Sequence, residues 1–337
     1  MREFQLYGLG NALVDIFVEV SDEEFAALGY SRGSTQLVSL AEQKALLKRF
    51  ENRDMRLVSG GSLANSTVAF AQLGGRAAFL GCVGDDRYGL FYQTEFEELG
   101  IDIGNPVVVG QSTGTCLCLL TPDAERTMCA CLGVSSHLSA QHVDERRLRN
   151  ADWLFLEGYT LANPQTGQSA VREAVRLARR HDVRIALTCS EAFVVNQSGG
   201  IFFETLAQTD LLFCNASEAC AVTGKASAEE AFADLKDKVP SALVTHGPNG
   251  VYVRYGGVET HVPAYPCQPI DLTGAGDMLA GSFLYGIMQG VAPDRAARAA
   301  CYLAMKVICQ VGARLHHGSR RFWDECLAGS KRNEPEA

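Results

Sequence analysis

About four-fifths of the way along the chain, Asp271-Leu272-Thr273-Gly274-Ala275-Gly276-Asp277 brings together the residue types that phosphoryl transfer needs. Glycines at a helix start let a ligand approach the backbone. The unpaired amides of the first turn, with the helix dipole, favour an anion there. Asp277 would sit beside that anion, where a carboxylate can accept the proton of an attacking hydroxyl. Taken alone, an Asp on a glycine-rich loop is equally an ordinary helix cap. The second cluster is Asn215-Ala216-Ser217-Glu218, whose Asn-x-x-Glu spacing puts both polar groups on one helical turn and could hold a hydrated Mg²⁺. That spacing is also the signature of a capping box.

Further polar groups are grouped around glycine turns. Gly60-Gly61-Ser62-Leu63-Ala64-Asn65 precedes a helical stretch, and Asn65 offers donor and acceptor to sugar hydroxyls. Asn11 and Asp15, four apart after Gly8 and Gly10, suit a polyhydroxylated ligand. Glu157, Asn215 and Thr245 each close an apolar run, and in open parallel sheets ligands bind beyond the carboxyl ends of the strands. Arg126 lies between two β-type runs, where a mobile arginine could close onto a transferring phosphate.

The elements that must position these groups alternate. Trp153–Glu157, Val183–Leu187, Asp210–Cys214 and Ala242–Thr245 read as strands. After Asn163-Pro164, Val171, Ala174, Val175 and Ala178 form the apolar stripe of a helix. A helix is expected from about Ala275, and another from Pro293 that Gly312 would end. Such alternation predicts an α/β fold with a mostly parallel central sheet and helices on both faces. Val107–Val109, Thr115–Leu120 and Thr127–Cys131 have no helix between them and predict an antiparallel meander serving as a small lid. With no linker, repeat or charge block, a single domain over 1–337 is expected, with lid strands at about 15–20, 34–39 and 106–131.

Composition narrows the classes. The 337 residues are 47% apolar and 20% charged, enough for a substantial core. Lys and Arg number 30 against 39 Asp and Glu, a formal charge of −9, so the basic excess of a duplex-binding protein is missing. Nucleic acid is therefore not an expected partner. The uncharged stretch from Leu57 to Gly75 is too polar for a membrane span, and Glu3 and Asp15 break any leader-like run at the N-terminus. The 12 cysteines are scattered, without a CxxC pair, and read as reduced thiols of a cytoplasmic protein. No GxxxxGK[ST] occurs, no HExxH occurs, and Leu13 stands where a dinucleotide fingerprint after Gly8 and Gly10 wants glycine or alanine.

On these residues the chain resembles the ribokinase-like (PfkB-type) carbohydrate and nucleoside kinases over nearly its whole length. GGSLANST through Gly84-Asp85 is similar to the family's first signature. DLTGAGDMLAGSF is similar to its second, with Leu272 in place of the usual threonine. The resemblance implies an enzyme that transfers the γ-phosphate of ATP to a primary hydroxyl. It implies Asp277 as general base, the amides of Gly274, Ala275 and Gly276 as anion hole, and Arg126 as lid arginine. Asn11, Asp15, Gly61, Asn65 and Glu157 would bind the acceptor. Asn215 and Glu218 would organise Mg²⁺ through its waters, while Thr245, Gly247, Gly250 and Gly312 line the nucleotide site. Asp271 would take part in holding a monovalent cation such as K⁺, and a homodimer is the expected assembly. The Asn11–Asp15 spacing, TGTCLCLLTPDAERTM and LEGYTL resemble the adenosine-kinase-like branch. A sugar kinase for ribose, fructose or a related sugar is the alternative, and an NAD-dependent oxidoreductase a more remote one.

Overall fold

Short runs rich in Leu, Ile, Val and Phe, most of them five to seven residues long, build the centre of the molecule. In the computed structural model, which describes residues 2–123 and 125–330, they form a nine-stranded sheet. Residues 1, 124 and 331–337 of the expected domain lie outside the described part. Across the sheet the order is Val258–Val262, Val251–Tyr255, Ser241–Thr245, Leu211–Asn215, Arg184–Thr188, Ala151–Glu157, Phe4–Leu9, Ala77–Leu80 and Asp102–Ile103. From Ser241–Thr245 to Asp102–Ile103 all pairings are parallel. The two strands from Val251 to Val262 add an antiparallel hairpin at one edge.

Both faces of this sheet are covered, and alternation along each strand explains how. Phe155, Phe213 and Leu243 pack on one side with the helices Ser62–Gln72, Ala275–Met288 and Pro293–Ile308. Their chain neighbours Leu154, Leu212 and Val244 pack on the other with the helix Gly167–Arg180. A strand buried on both faces must be apolar at every position, which is why these runs do not alternate in polarity. The fold is the expected α/β class, and each of the four strands read between residues 151 and 245 is present.

Three expectations about elements need correction. The helix after Asn163-Pro164 begins at Gly167, because the Asn163 side-chain oxygen accepts from the amides of Gln165 and Thr166 at 3.2 and 3.3 Å and forms a local turn instead of a cap. The helix from Pro293 ends at Ile308, not at Gly312. The smaller sheet has the order Thr35–Leu37, Arg126–Cys131, Gly114–Leu120, Leu13–Glu19 and Arg56–Gly60, with two parallel and two antiparallel pairings instead of a meander. Val107–Val108 pairs with Val83–Gly84 and takes no part in it. Arg56–Gly60, read in the sequence for its terminal glycine, supplies the remaining edge strand.

Alternation gives the small sheet two different faces. Val14, Ile16 and Val18 point into the main core with Phe25, Leu46 and Phe50. Phe17, Cys116, Cys118 and Ala130 cluster on the opposite face, which also carries Asp15. Among the described residues no helix is long and apolar enough to cross a membrane.

Candidate active site

At the start of the helix Ala275–Met288, Gly274 adopts φ +77°. A β-carbon at Gly274 would lie 2.2 Å from the Ala313 carbonyl, so only glycine makes this turn against the Gly312–Ala313 segment. No backbone carbonyl among the described residues takes the amides of Gly276 and Asp277, whereas the Ala275 amide, expected in the anion hole, already donates to the Leu272 carbonyl at 3.4 Å. The two free donors, at the positive end of the helix, form an anion-binding cradle.

Asp277 stands in this first turn with its carboxylate fixed on both oxygens. Ser62 Oγ donates to Oδ1 at 2.6 Å and Asn65 Nδ2 to Oδ2 at 2.9 Å. Asn65 is itself held by Arg314, whose Nε donates to Asn65 Oδ1 at 2.8 Å. Burial pushes the Asp277 carboxyl up to about 6, against the opposing pull of Ser62, Asn65 and the Arg314 charge. A carboxylate tuned there is ionised at neutral pH yet basic enough to share a hydroxyl proton.

The turn that brings Ser62 and Asn65 to Asp277 depends on Gly61. Its φ is +104°, and a β-carbon would meet the Asn11 carbonyl at 2.2 Å. Glu157, completely buried, ties the same turn to the first strand. Its Oε1 accepts from the amide and the side-chain Nδ2 of Asn11 at 2.7 and 2.9 Å, and its Oε2 from the Leu63 amide at 3.1 Å. With its oxygens so engaged, Glu157 ties Asn11 to the helix start that follows Gly61. Burial raises it to about 7, even though the Asn11 and Leu63 amides favour its charge.

Asp15 faces a cavity of about 170 Å³ whose wall includes Phe17, Asn65, Glu95 and Arg314. Its carboxyl is raised to about 6, chiefly by burial, while Arg126 and Arg314 pull the other way. A larger cavity, about 930 Å³, runs along Arg126 and Asp271 but is lined by neither Asp277 nor the first-turn glycines.

Sequence reasoning missed Arg314, which is 8% exposed. It donates to Ser59 Oγ at 2.8 Å, stands 4.0 Å from Glu95 and leaves Nη2 without a partner. It belongs to no motif, and only its position two residues after Gly312 could have drawn attention to it. Ser62 was inside the quoted motif but unassigned.

Arg126 does not reach into the anion cradle. Its Nη1 donates to Asp271 Oδ2 at 2.9 Å and its Nη2 to Thr273 Oγ1, fastening the small sheet to the loop before Gly274. Asp271 also accepts from the Gly312 amide at 2.8 Å and the Thr273 amide at 3.0 Å. A carboxylate ringed by three donors, one of them a guanidinium, does not fit a monovalent-cation site in this arrangement.

Farther along the sheet edge, Asn215 and Thr245 are register partners at adjacent strand ends. Gly247 opens the turn after Thr245 and Gly250 closes it. Asn215 and Glu218 form the capping box, with Asn215 N and Nδ2 donating to Glu218 at 2.9 and 2.7 Å and Glu218 N to Asn215 Oδ1 at 2.9 Å. Burial first, then the charges of Glu191 and Asp277, raises Glu218 to about 7. A buried carboxylate under the field of two others fits a hydrated divalent cation, which would relieve all three.

A parallel sheet with free helix-start amides and a fixed carboxylate beyond its strand ends is the arrangement that phosphoryl transfer needs. Residues 35–317 match the family described as pfkB family carbohydrate kinase, and the chain belongs to that family. It is 29% identical to the ribokinase of Haemophilus influenzae over 255 residues, covering 73% of this chain and 79% of that protein. It is similar to the crystal structure of adenosine kinase from Sinorhizobium meliloti (29% identity, TM-score 0.86, 96% of this chain and 99% of that one). A probable sugar kinase from Rhizobium etli CFN 42 is likewise similar (27% identity, TM-score 0.88, 98% and 99% covered). The chain is thus a phosphotransferase acting on a hydroxyl of a sugar or nucleoside, and kinases of this family use ATP. The oxidoreductase alternative is set aside by this membership.

Proposed function

We propose that the protein transfers the γ-phosphate of ATP to the primary hydroxyl of a ribosyl acceptor, a nucleoside of the adenosine type first. The observation that carries this reading is Asp277, held by Ser62 and Asn65 beside the free first-turn amides and linked through Asn65 to the cavity of Asp15. Asp15 and Asn11 would take the vicinal hydroxyls of the ribose, which turns its primary hydroxyl toward Asp277. As that oxygen attacks the terminal phosphorus, Asp277 accepts its proton and the first-turn amides hold the negative charge of the moving phosphoryl group. Asn215 and Glu218 would hold Mg²⁺ through waters, and the ion would supply charge neutralisation along the phosphates. Closure of the small sheet over the cavity excludes water, so that transfer to the acceptor outruns hydrolysis.

The apolar face formed by Phe17, Cys116, Cys118 and Met128 favours a flat, weakly polar aglycone such as a base. A free pentose is the second reading, favoured by the polar wall of Asp15, Asn65 and Arg314, which could hold a sugar without a base. A coupled ADP-release assay over adenosine, other nucleosides, ribose and fructose decides between them. The highest kcat/KM is expected for adenosine. A free sugar preferred over every nucleoside would overturn the first reading, and no ADP release with any acceptor would overturn both.

A further inference from the structure

Two thiols on the small sheet, used above only as part of an apolar face, carry no chemistry in the transfer itself. The strands Leu13–Glu19 and Gly114–Leu120 pair in parallel, with Asp15 beside Cys116 and Phe17 beside Cys118. The period of two along a strand puts Cys116 and Cys118 on the face that Asp15 shares. Cys118 Sγ lies 3.7 Å from the Cys116 carbonyl, leaning toward its neighbour. One carboxylate oxygen of Asp15 and the two sulfur atoms all lie within 4.8 Å of one another. Among the described residues no other three such groups meet in this way.

We propose that Asp15, Cys116 and Cys118 form a site for a thiophilic divalent cation of the zinc class, and that its occupation excludes the acceptor from the cavity. Zn–S bonds of about 2.3 Å and Zn–O bonds of about 2.0–2.2 Å place neighbouring ligands of a tetrahedral ion roughly 3.5–3.8 Å apart. The three donors therefore need to draw in by about 1.3 Å at most, within the reach of small side-chain rotations. No hydrogen bond from the described residues reaches the Asp15 carboxylate, so the ion displaces none there, although the charges of Arg126 and Arg314 act on it. The adjoining cavity leaves room for a water as fourth ligand.

Binding forms two metal–sulfur bonds and one metal–oxygen bond. It releases the two thiol protons to solvent and changes no oxidation state. The Cys118 contact and burial hold the Cys116 thiol well above the usual thiol range, so it gives up its proton only on binding the ion. Soft thiolates select zinc or cadmium over Mg²⁺, which prefers an all-oxygen shell, so this site does not compete for the Mg²⁺ of the nucleotide. The exclusion of acceptor rests on the reading of Asp15 as an acceptor ligand; the ion site itself does not.

The test is a titration of the full chain, without nucleotide, with Cd²⁺ while the ultraviolet thiolate-to-cadmium absorption is followed. One equivalent is expected to develop the band, with two protons released per ion. Cys116→Ser and Cys118→Ser should each remove most of it, with thermal unfolding recorded to show that the variants fold. Should either serine variant fail to fold, the alanine variant at the same position takes its place. Asp15→Asn should keep the band but weaken binding by at least about tenfold, since even outer-shell losses cost that much. A band unchanged in the thiol variants places the metal on other cysteines and overturns the proposal. The preferred acceptor should raise the apparent dissociation constant in proportion to its concentration. A normal band that the acceptor leaves unmoved overturns the exclusion and the acceptor role of Asp15, while the ion site stands.

Discussion

At the scale of single residues, the proposed reaction turns on how Asp277 is kept basic and ionised together. Asp277→Asn keeps the contact with Ser62 but removes the proton acceptor, so kcat should fall by about 10²–10⁴-fold with little change in acceptor KM. Steady-state kinetics beside an unfolding curve checks this, and near-normal turnover would remove Asp277 from the role of base. With its carboxyl at about 6, kcat/KM should decline below that pH as the base becomes protonated. Arg314 lowers both Asp277 and Asp15 through its charge. Arg314→Met should therefore move the acid limb upward by about one pH unit, and Arg314→Lys should restore it in part. A loss of activity at every pH with the limb unmoved would mean that Arg314 merely packs.

At the scale of elements, the small sheet is fastened to the phosphate loop by Arg126 and Asp271, whose side chains are 9% and 11% exposed. A pair this shielded couples more strongly than a surface ion pair. In a double-mutant cycle of Arg126→Met and Asp271→Asn, the coupling should be on the order of 1–3 kcal/mol by thermal or denaturant unfolding. Hydrogen exchange should quicken in Arg126–Cys131 in either single variant, and a coupling near zero would remove the latch. This latch was illegible in the sequence, because 145 residues separate its partners and neither type nor local spacing encodes the contact. By contrast, the strands ending at Glu157, Asn215 and Thr245 were legible, since burial on both faces demands continuous apolar runs. The small sheet was half legible. Its strands show β-type composition, but its parallel pairings depend on where distant segments meet. Glu157 shows the same limit at a site: the sequence places it at a strand end, whereas its role as the tie between Asn11 and the Gly61 turn is fixed by tertiary contacts alone.

At the scale of the whole molecule, activity and stability should respond to pH in opposite directions. Asp15 and Asp277 are raised to about 6, and Glu157 and Glu218 to about 7. Their unfolded values are near 4, so between about pH 4.5 and 7 the native state binds more protons than the unfolded chain. Stability contributed by these four groups then falls as pH rises through that window. For Glu157, completely buried, the shift corresponds to roughly 3 kcal/mol at neutral pH. His142 works against this trend, because burial lowers it and its protonation disfavours the native state below its unfolded value. Carboxyls that are held low, such as Asp123 at about 2 beside Thr121 and Arg32, act only in more acidic solution. Four groups against one predict a ligand-free Tm that is higher near pH 5.5 than near pH 7.5, where the enzyme is more active. Mg²⁺ with nucleotide should narrow the gap by relieving Glu218 and Asp277 at the higher pH. Thermal unfolding from pH 5 to 8, with and without Mg²⁺ and ATP, measures both effects. A Tm that rises steadily with pH in the free protein would show that the four carboxyls carry no such strain, and the tuning argued for Asp277 would fall with it.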